Sequence, residues 1–573
     1  MDGGGLTHGG KPLMRTSTRS WHGLCVDRFP AQRRTLCHLM ELQASANPDR
    51  AWLVSDGAST LTFGEAAERA LAEARRIGSV GSRPQIGIAM RGGLDLVVLL
   101  HATLLAGGTA YLLDPAWPAP TATDALRGLR LDVLFVDTSV PTRTAGPVEW
   151  RVAERIVDVA PNGGDPPADQ TAPPADQTQT AVPWAEWSSE PGSGRTALPR
   201  DGDGDAIVMF TSGTTGVPKG VVCSHHYAYC YSALVTDSLE RGPDDVLTSP
   251  LPLFHSGGLH MAVHSALQAG CTAHVKSRFS ASGFWRAAAA DGATQANLVA
   301  EMARMIERVA EPETGHRLRY LIAGGFHDHR AFEERFSTTV LSQAYGTSEV
   351  YVSPMRKERW DDDPDAGSDI LGLPLDCFAY GAVDDDGRLL PAGATGELVV
   401  RPSVSGVTFT RYLREPGATA TAWRGGFLHT GDLVAIDASG LLRFRGRVAG
   451  RIRRRGETVS AAEVERAAVS LPGVTCAAAY AIPGDFGDDE IKLDVTGTAA
   501  VDLAALARGL DALLRPAARP RYIEQLESLA LTSTMRPMYQ QLRARGVQWG
   551  RVFDTRRMSN GQPTEECDKE EPT

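Results

Sequence analysis

The sequence predicts an α/β protein with a large N-terminal α/β domain and a small α+β C-terminal domain. First, helix-like segments such as 36–45 and 94–105 alternate with short apolar runs such as 86–90, a pattern typical of helices layered on a largely parallel sheet. Second, 573 residues with 42% hydrophobic content allow roughly two to four domains. Third, a glycine-rich boundary at 446–450 precedes about a hundred residues that suit a small domain.

The other elements follow from the same local patterns. We expect further helices at 63–76 and 501–514, and further strands at 133–136, 205–210 and 477–482. The helix candidates are helix-like stretches of helix length, and the strand candidates are short apolar runs.

The chain divides into segments of different composition. Residues 1–34 are rich in Gly, Ser, Thr and Arg and are expected to be a flexible extension. Residues 35–446 form the N-terminal domain, within which 161–204, with its repeated PPADQT, is expected to be a disordered surface loop. Residues 447–550 form the C-terminal domain and 551–573 a disordered polar tail.

Composition excludes several classes of function. A formal net charge of −11 gives no general attraction to nucleic acid or to an anionic membrane. The eight cysteines are scattered without a CxxC pair or zinc-type spacing, which favours reduced, buried thiols. The sequence shows no signal-peptide core and no apolar run of about 18 residues. We therefore expect a cytoplasmic protein that acts on small molecules, while the oligomeric state stays open.

The most informative motif follows the predicted strand at 205–210. The ten residues TSGTTGVPKG, 211–220, combine hydroxyls, glycines and one lysine. Backbone N–H groups and hydroxyls in such a loop can surround phosphate oxygens, while the lysine neutralises pyrophosphate. It is not a Walker A loop, because Gly220 stands where Ser or Thr is required. The candidate phosphate-binding residues are Thr211, Ser212, Gly213, Thr214, Thr215, Gly216 and Lys219.

This motif resembles the phosphate loop of the adenylate-forming ligases, the AMP-binding family of acyl-CoA synthetases, luciferases and peptide-synthetase adenylation domains. Further segments resemble the family in the same order along the chain: LPLFHSGG (251–258), AGG (323–325), YGTSE (345–349), GFLHTGDL (426–433) and GR (446–447). The resemblance spans about residues 35–546. It implies the fold of these ligases, with a large N-terminal domain and a mobile C-terminal lid, and it implies ATP and Mg²⁺.

The resemblance also implies residue roles. His255 would border the acid pocket, and Gly324 and Gly325 would lie against adenine. Within YGTSE, Tyr345 would stack on adenine beside Gly346, Ser348 would touch a phosphate and Glu349 would hold Mg²⁺. Asp432 would grip the ribose hydroxyls, and Arg447 would begin the lid. In chain order, the residues with these implied roles are His255, Gly324, Gly325, Tyr345, Gly346, Ser348, Glu349, Asp432 and Arg447.

Residue chemistry supports two of these roles independently. Asp432 can accept two hydrogen bonds from a ribose diol, and Glu349 is a hard oxygen ligand suited to Mg²⁺. Taken alone, Asp432 is more often a turn residue, Glu349 an acid at a helix start and His255 a packed core histidine. Their order beside the phosphate loop favours the functional interpretation.

The segment RRRGETVSAAEVE, 453–465, resembles the CoA-ligase branch, especially ligases for carnitine-like short acids. That resemblance implies that Arg455 and Gly456 line the pantetheine tunnel once the lid has rotated, so CoA is the expected co-substrate. The same residues also predict a capped helix, with Ser460 as N-cap and Glu463 completing a capping box.

Several positions depart from the family pattern. Aligning the lysine segment near the end of the lid places Arg536 at the lysine position; the exchange keeps the charge but needs more room. Losing one well-placed transition-state donor costs about 3 to 4 kcal/mol. Ala449 replaces the hinge Asp or Lys, and Phe326 replaces a small residue and is expected to shorten the acid pocket. Glu301 either faces solvent or points inward to pair with an amine or hydroxyl of the substrate.

These observations predict an AMP-forming ligase that activates a small carboxylic acid and transfers it to CoA. Lys219, His255, Glu349 and Arg536 are the predicted catalytic residues. A second hypothesis keeps adenylation but changes the acceptor, as in amide ligases or nitrite-activating aryl-amine diazotases of bacterial secondary metabolism and antibiotic biosynthesis. A third is a non-catalytic nucleotide-binding relative, against which the intact phosphate loop argues.

Overall fold

A computed structural model of the chain provides the coordinates. It describes residues 15–16, 28–56, 59–90, 92–117, 119–137, 153–159, 182–192, 194, 196, 202–211, 218–312, 315–326, 329–342, 344–353, 369–454, 457–484, 489–497, 499–532, 536–548, 551–559 and 562–563.

The first sheet of the N-terminal domain carries the strands that flank the phosphate loop. From β9 to β8 its strands run parallel, while β10 is antiparallel to both β9 and β21. In spatial order they are β21 (Arg411–Tyr412), β10 (Lys219–Ser224), β9 (Asp205–Thr211), β5 (Thr109–Leu112), β4 (Gln85–Ala89), β6 (Leu131–Val136), β7 (Ala153–Asp158) and β8 (Val182–Pro183).

The second sheet is parallel except at β3, which is antiparallel to β2. In spatial order its strands are β15 (Thr339–Leu341), β14 (Tyr320–Gly324), β13 (Gln295–Val299), β11 (Val246–Ser249), β12 (Thr272–Val275), β2 (Ala51–Ser55) and β3 (Thr60–Thr62).

The third sheet is antiparallel and leads into the C-terminal domain. In spatial order its strands are β1 (Arg15–Thr16), β19 (Phe378–Val383), β20 (Thr395–Pro402), β22 (Leu428–Ile436), β23 (Leu442–Arg447) and β18 (Ile370–Gly372); a separate ribbon pairs β16 (Tyr345–Gly346) with β17 (Tyr351–Ser353).

The C-terminal domain, called the lid below, is built on a four-stranded sheet with two short ribbons. The sheet contains β26 (Val474–Pro483), β27 (Asp489–Gly497), β28 (Tyr522–Gln525) and β29 (Phe553–Asp554), and the ribbons pair β24 (Arg451–Arg454) with β25 (Glu457–Ser460) and β30 (Met558–Ser559) with β31 (Gln562–Pro563). Between β23 and β24, residues Val448–Gly450 form one 3₁₀ turn.

Helices cover the sheets. In the N-terminal domain they are α1 (Leu36–Ala46), α2 (Phe63–Ile77), α3 (Leu94–Leu105), α4 (Ala119–Ala125), α5 (Trp184–Ser189), α6 (His225–Ser238), α7 (Ser256–Gly258), the π-helix Leu259–His264, α8 (Ser265–Ala269), α9 (Phe284–Ala290), α10 (Ala300–Val309), α11 (His329–Phe336) and α12 (Pro416–Ala422). In the lid they are α13 (Ala461–Val469), α14 (Leu503–Leu513) and α15 (Tyr539–Arg545).

The helices and strands predicted from sequence are confirmed to within a few residues. The segments predicted at 36–45, 94–105 and 205–210 are α1, α3 and β9, as given above. Local signals explain these boundaries. Thr35, for example, caps α1 by accepting a hydrogen bond from the backbone N–H of His38.

Three segments predicted to lack structure are partly ordered. Arg15 and Thr16 of the expected extension pair with β19, and the tail contributes β29 to the lid sheet. Within the expected loop 161–204, the side chain of Trp187 is 1% exposed, and its Nε1 donates to Glu73 Oε2 at 3.0 Å. Composition cannot reveal such long-range packing. The PPADQT repeats lie outside the described residues.

The remaining bulk predictions can be compared with the described residues. The thiols of Cys37, Cys223, Cys230, Cys271 and Cys377 are buried and that of Cys476 is half-buried, whereas Cys25 and Cys567 fall outside the described ranges. Among the helices described, none is both long and apolar enough to cross a bilayer.

Three buried histidines meet in the N-terminal core. His260 Nδ1 lies 2.9 Å from His264 Nδ1, and the rings of His101 and His264 meet edge to face at 5.4 Å. Burial lowers the pKa of His101 to about 4 and that of His260 to about 3, and it lowers the pKa of His264 well below its usual value. All three are therefore neutral at pH 7.

These pKa shifts predict how the stability depends on pH. Histidines in the unfolded chain have a pKa of about 6.5. Below that pH, the unfolded state therefore binds protons that the buried histidines of the folded state do not bind. As the pH falls from the unfolded-state pKa to the folded-state pKa of a histidine, that histidine should reduce the free energy of unfolding by about 1.4 kcal/mol per pH unit. His101→Phe should flatten the fall in Tm between pH 6 and pH 4.5, measured by calorimetry. Trp52→Phe, which alters a ring packed on His101, should lower Tm without changing the slope; an unchanged slope in His101→Phe contradicts the interpretation.

Candidate active site

The phosphate loop connects two antiparallel strands at the edge of the first sheet. Thr211, the last residue of β9, is paired with Lys219, the first residue of β10. The pairing brings the two ends of the loop, Thr211 and Lys219, together. Five predicted phosphate ligands, Ser212, Gly213, Thr214, Thr215 and Gly216, lie outside the described residues.

The predicted nucleoside residues meet around one buried carboxylate. Asp432 is 3% exposed; its Oδ2 accepts the Tyr345 hydroxyl at 2.8 Å, and its Oδ1 lies 3.1 Å from Arg447 Nε. The register of β22 and β23 places Asp432 opposite Arg447. A carboxylate can accept about four hydrogen bonds. These two contacts therefore leave capacity for a diol with two hydroxyl donors.

Burial, followed by the charge of Asp432, raises the pKa of Tyr345 well above its usual value. The hydroxyl therefore stays protonated and donates to the carboxylate, which fixes the orientation of the tyrosine ring.

The two glycines predicted to face adenine leave open space. Gly324 ends β14, and Gly325 has φ +79°, in the left-handed region that glycine tolerates. A Cβ built on either residue meets no atom within 4 Å, so a flat ring can approach the backbone there. Gly346 has a different reason to be glycine, since its Cβ would lie 2.4 Å from Tyr351 Cδ2.

The residues after Gly346 form a tight turn that presents Glu349. The Thr347 N–H donates to Val350 O at 2.7 Å, and the Glu349 N–H donates to Thr347 Oγ1 at 3.1 Å. The Ser348 carbonyl oxygen accepts the Tyr227 hydroxyl at 3.0 Å. Backbone contacts thus fix Ser348 and Glu349 independently of their side chains.

Tyr412 connects the carboxylate of Glu349 to the lysine of the phosphate loop, and sequence reasoning missed it. Its hydroxyl donates to Glu349 Oε1 at 2.9 Å, and Lys219 Nζ lies 5.5 Å from the centre of its ring, within cation–π range. The Phe409 N–H donates to the Glu349 carbonyl oxygen at 2.7 Å. No motif marks Tyr412, because only the pairing of β21 with β10 brings it here.

Arg536 of the lid interacts with the same group of side chains. It is exposed to solvent, yet it interacts electrostatically with Arg447, Asp432, Glu349 and His255. The positive charge of Arg447, followed by desolvation, lowers the pKa of Arg536 to about 10. Arg536 therefore remains a cation at neutral pH.

His255 is the N-cap residue directly before the short helix α7, with its ring centre 4.9 Å from that of Phe254. Burial, followed by the charge of Arg536, lowers the pKa of His255 to about 4. His255 is neutral at pH 7, so it can donate or accept a hydrogen bond without adding charge.

Two residues that depart from the family pattern, Glu301 and Phe326, make contacts of a different kind. The Glu301 carboxylate is 3.1 Å from Arg304 Nη1 and interacts with Cys476 of the lid, so the structure places it at the domain boundary. Phe326 is 2% exposed and packs edge to face on Phe332 in a hydrophobic cluster. The expectation of a pocket-shortening aromatic thus gives way to a core residue.

Two predictions for the start of the lid have different outcomes. Ser460 precedes α13, but its side chain makes no capping bond there, so the predicted capping box is wrong. A Cβ on Gly446 would lie 2.1 Å from the Ser460 hydroxyl, which shows that β23 occupies the space beside it. Arg455 and Gly456 fall outside the described residues.

The acidic residues fit a magnesium ion that arrives with phosphates. Within the described ranges, no three His, Cys, Asp or Glu side chains form a group able to hold a metal. Magnesium in nucleotide enzymes commonly takes one or two carboxylates and fills its other positions with phosphate oxygens and water. A single carboxylate on Glu349, fixed through Oε1 by Tyr412, suits that mode.

The sequence comparison agrees with the geometry. The profile of the AMP-binding enzyme family matches residues 40–410, which is more than half of the chain, so the protein belongs to this family. Its class is therefore that of the AMP-forming acid ligases.

Named relatives support this class. The chain is 29% identical over 494 residues, 84% of this chain and 90% of the relative, to sulfoacetate–CoA ligase of Cupriavidus necator. It is 32% identical over 304 residues, 51% of this chain and 56% of the relative, to crotonobetaine/carnitine–CoA ligase of Proteus mirabilis.

Two solved structures show the same fold. One is an anthranilate CoA ligase in complex with anthranoyl-AMP, with a TM-score of 0.74, 18% identity and coverage of 91% of this chain and 98% of that chain. The other is the o-succinylbenzoate CoA synthetase of Bacillus subtilis in complex with its acyl-adenylate intermediate, with a TM-score of 0.72, 21% identity and coverage of 88% and 97%.

Tyr412→Phe tests whether the hydroxyl holds Glu349 for the metal. We expect the Mg²⁺ concentration for half-maximal AMP formation to rise about tenfold, because loss of a hydrogen bond to a ligating side chain commonly weakens metal binding 10- to 100-fold. The measurement is a Mg²⁺ titration of AMP formation. Tyr380→Phe is the matched control, since it removes a buried hydroxyl that donates to Gly440 O in the third sheet. An unchanged Mg²⁺ requirement in Tyr412→Phe contradicts the role.

Proposed function

We propose that this protein activates a small carboxylic acid with Mg·ATP and transfers the acyl group to CoA. The observation that carries the proposal is the convergence of Arg536 from the lid with Glu349, Asp432 and His255 from the N-terminal domain. This convergence supports a site in which a lid cation meets the nucleotide, as adenylation requires. The proposal takes its acceptor, CoA, from the two named relatives.

In the first step, a carboxylate oxygen of the acid attacks the α-phosphorus of ATP. The bond to the bridging oxygen of pyrophosphate breaks, giving acyl-AMP and pyrophosphate. Both reactants are anions, so catalysis depends on positioning and on neutralising charge. Lys219 neutralises the departing pyrophosphate, Arg536 faces the carboxylate and the α-phosphate, and neutral His255 borders the acid. Magnesium, when bound at Glu349, adds positive charge beside the phosphates.

In the second step, the CoA sulfur attacks the acyl carbon and the bond to AMP breaks. The acids named for the relatives are sulfoacetate, crotonobetaine and carnitine, all small and charged. They support a small polar acid as substrate rather than a long fatty acid.

A screen over small acids tests this function. Supplied with ATP, Mg²⁺ and CoA, the protein should form AMP, pyrophosphate and a thioester with at least one acid. The products are followed together by chromatography, with omission of CoA as the control. Formation of ADP and phosphate contradicts the class.

A second candidate, adenylation with another acceptor, is favoured by Arg536 in place of lysine and by Ala449 at the hinge. If AMP forms only with nitrite and an aryl amine, and no acid yields a thioester, this candidate replaces the hypothesis of acyl transfer to CoA.

Exchange of Arg536 tests the lid cation. Arg536→Ala should slow acid-dependent ATP–pyrophosphate exchange about 10²- to 10³-fold, because one well-placed transition-state donor is lost. Arg543→Ala is the matched control. This exposed arginine lies on the neighbouring helix α15 and should leave the exchange rate nearly unchanged. Equal, small effects from both changes show that the protein works without a lid cation.

A further inference from the structure

We infer that a hydrogen bond between Tyr539 and Glu465 anchors the Arg536 segment in the lid, which makes Tyr539 a positioning residue for adenylation. The inference rests on the proposed function for its catalytic consequence, and on lid geometry alone for the anchoring.

Arg536 lies at the end of a short hairpin. Its N–H donates to Thr532 Oγ1 at 3.1 Å, and its carbonyl oxygen accepts the Thr532 N–H at 2.8 Å. The Met538 N–H donates to Ala530 O at 2.9 Å, closing the two arms. These bonds fix the shape of the hairpin but not its place relative to the rest of the lid.

Helix α15 follows directly and fixes the position of the hairpin relative to the rest of the lid. Its first residue, Tyr539, comes three positions after Arg536, and the Tyr539 hydroxyl donates to Glu465 Oε1 at 2.7 Å. The same oxygen accepts the Ala479 N–H at 2.9 Å. Glu465 belongs to α13 and Ala479 to β26. One carboxylate oxygen therefore ties the hairpin to both a helix and the central sheet of the lid.

The surroundings make this bond hard to replace with water. Glu465 and Tyr539 are half-buried, and burial raises the pKa of both. Tyr539 also interacts electrostatically with Arg447 and Arg536, which places it beside the nucleotide residues. An acceptor shielded from water is costly to leave without one of its donors, so the bond constrains where the helix begins.

The far end of α15 is held separately. The Leu542 side chain is 2% exposed in the lid core, and Arg545 Nη2 donates to Glu524 Oε1 at 3.0 Å. Removal of the Tyr539 hydroxyl should therefore free the hairpin without unfolding the helix.

The kinetic test compares Tyr539→Phe with Arg545→Gln, which loses a hydrogen bond at the other end of the helix. In ATP–pyrophosphate exchange without CoA, Tyr539→Phe should lower kcat about tenfold, because small misplacements of a catalytic group are costly. The KM for ATP should change less than about twofold, since the nucleoside contacts remain. Arg545→Gln should retain nearly full kcat. A larger loss in Arg545→Gln than in Tyr539→Phe overturns the assignment.

Two further variants separate positioning from general damage. In an Arg536→Ala background, Tyr539→Phe should have no additional effect, because the group that it positions is gone. Glu465→Gln keeps an oxygen that can accept both bonds and should retain activity within about threefold, whereas Glu465→Leu should match Tyr539→Phe. Multiplicative losses in the double variant overturn the inference.

A readout without catalysis distinguishes failure of the inference from failure of the proposed function. Hydrogen–deuterium exchange followed by mass spectrometry should show faster exchange of residues 530–538 in Tyr539→Phe than in the wild type or Arg545→Gln. If none of the tested acids supports AMP formation by the wild type but this difference in exchange appears, the proposed function fails and the anchor stands. If the exchange of 530–538 is unchanged, the anchor is wrong whatever the activity.

Discussion

The candidate nucleotide site depends on the buried carboxylate of Asp432. It is almost fully removed from solvent, and a buried charge requires partners. One partner, Tyr345, comes from the β16–β17 ribbon, and the other, Arg447, is the last residue of β23 in the third sheet. A single acid therefore fixes the candidate adenine-stacking ring and the point where the chain leaves the N-terminal domain.

The same carboxylate balances two cations that would otherwise repel each other. Arg447 lowers the pKa of Arg536, whereas Asp432 and Glu349 raise it. The repulsion between the two arginines therefore lowers the pKa of Arg536 despite the two carboxylates. An anion placed between them gains attraction to both and relieves their repulsion. The candidate nucleotide site is thus electrostatically complementary to a phosphate group, although the whole chain is acidic.

The sequence predicted those parts of the fold and site whose signals are local. The phosphate loop, the Tyr345 segment and the Asp432 segment each carry their pattern within ten residues, and helices such as α3 carry a continuous apolar run. Tyr412 was missed because its partner Glu349 is 63 positions away, and Tyr539 because Glu465 is 74 positions away. Neither residue type is diagnostic without the fold that pairs them.

The errors have the same origin. Composition indicated disorder around Trp187 and at the tail, but a single buried indole and a two-residue strand at the edge of the lid sheet order parts of both. Ser460 and Glu463 fit the sequence pattern of a capping box, but the Ser460 hydroxyl lies against Gly446 instead. In each case a contact distant in sequence outweighed a local preference.

The presence of Arg536 where the family pattern has lysine is consistent with the hydrogen bonds that fix the backbone of Arg536. Lysine carries a compact charge on a flexible stem, whereas the planar guanidinium must arrive in the correct orientation to use its fork. Both backbone groups of Arg536 are bonded to Thr532, and the chain three residues later is tied to α13 through Tyr539 and Glu465. A fixed backbone reduces the conformational freedom that the side chain must lose on meeting a carboxylate and a phosphate. Arginine at this position therefore requires a more rigid lid segment than lysine, and the described contacts provide one.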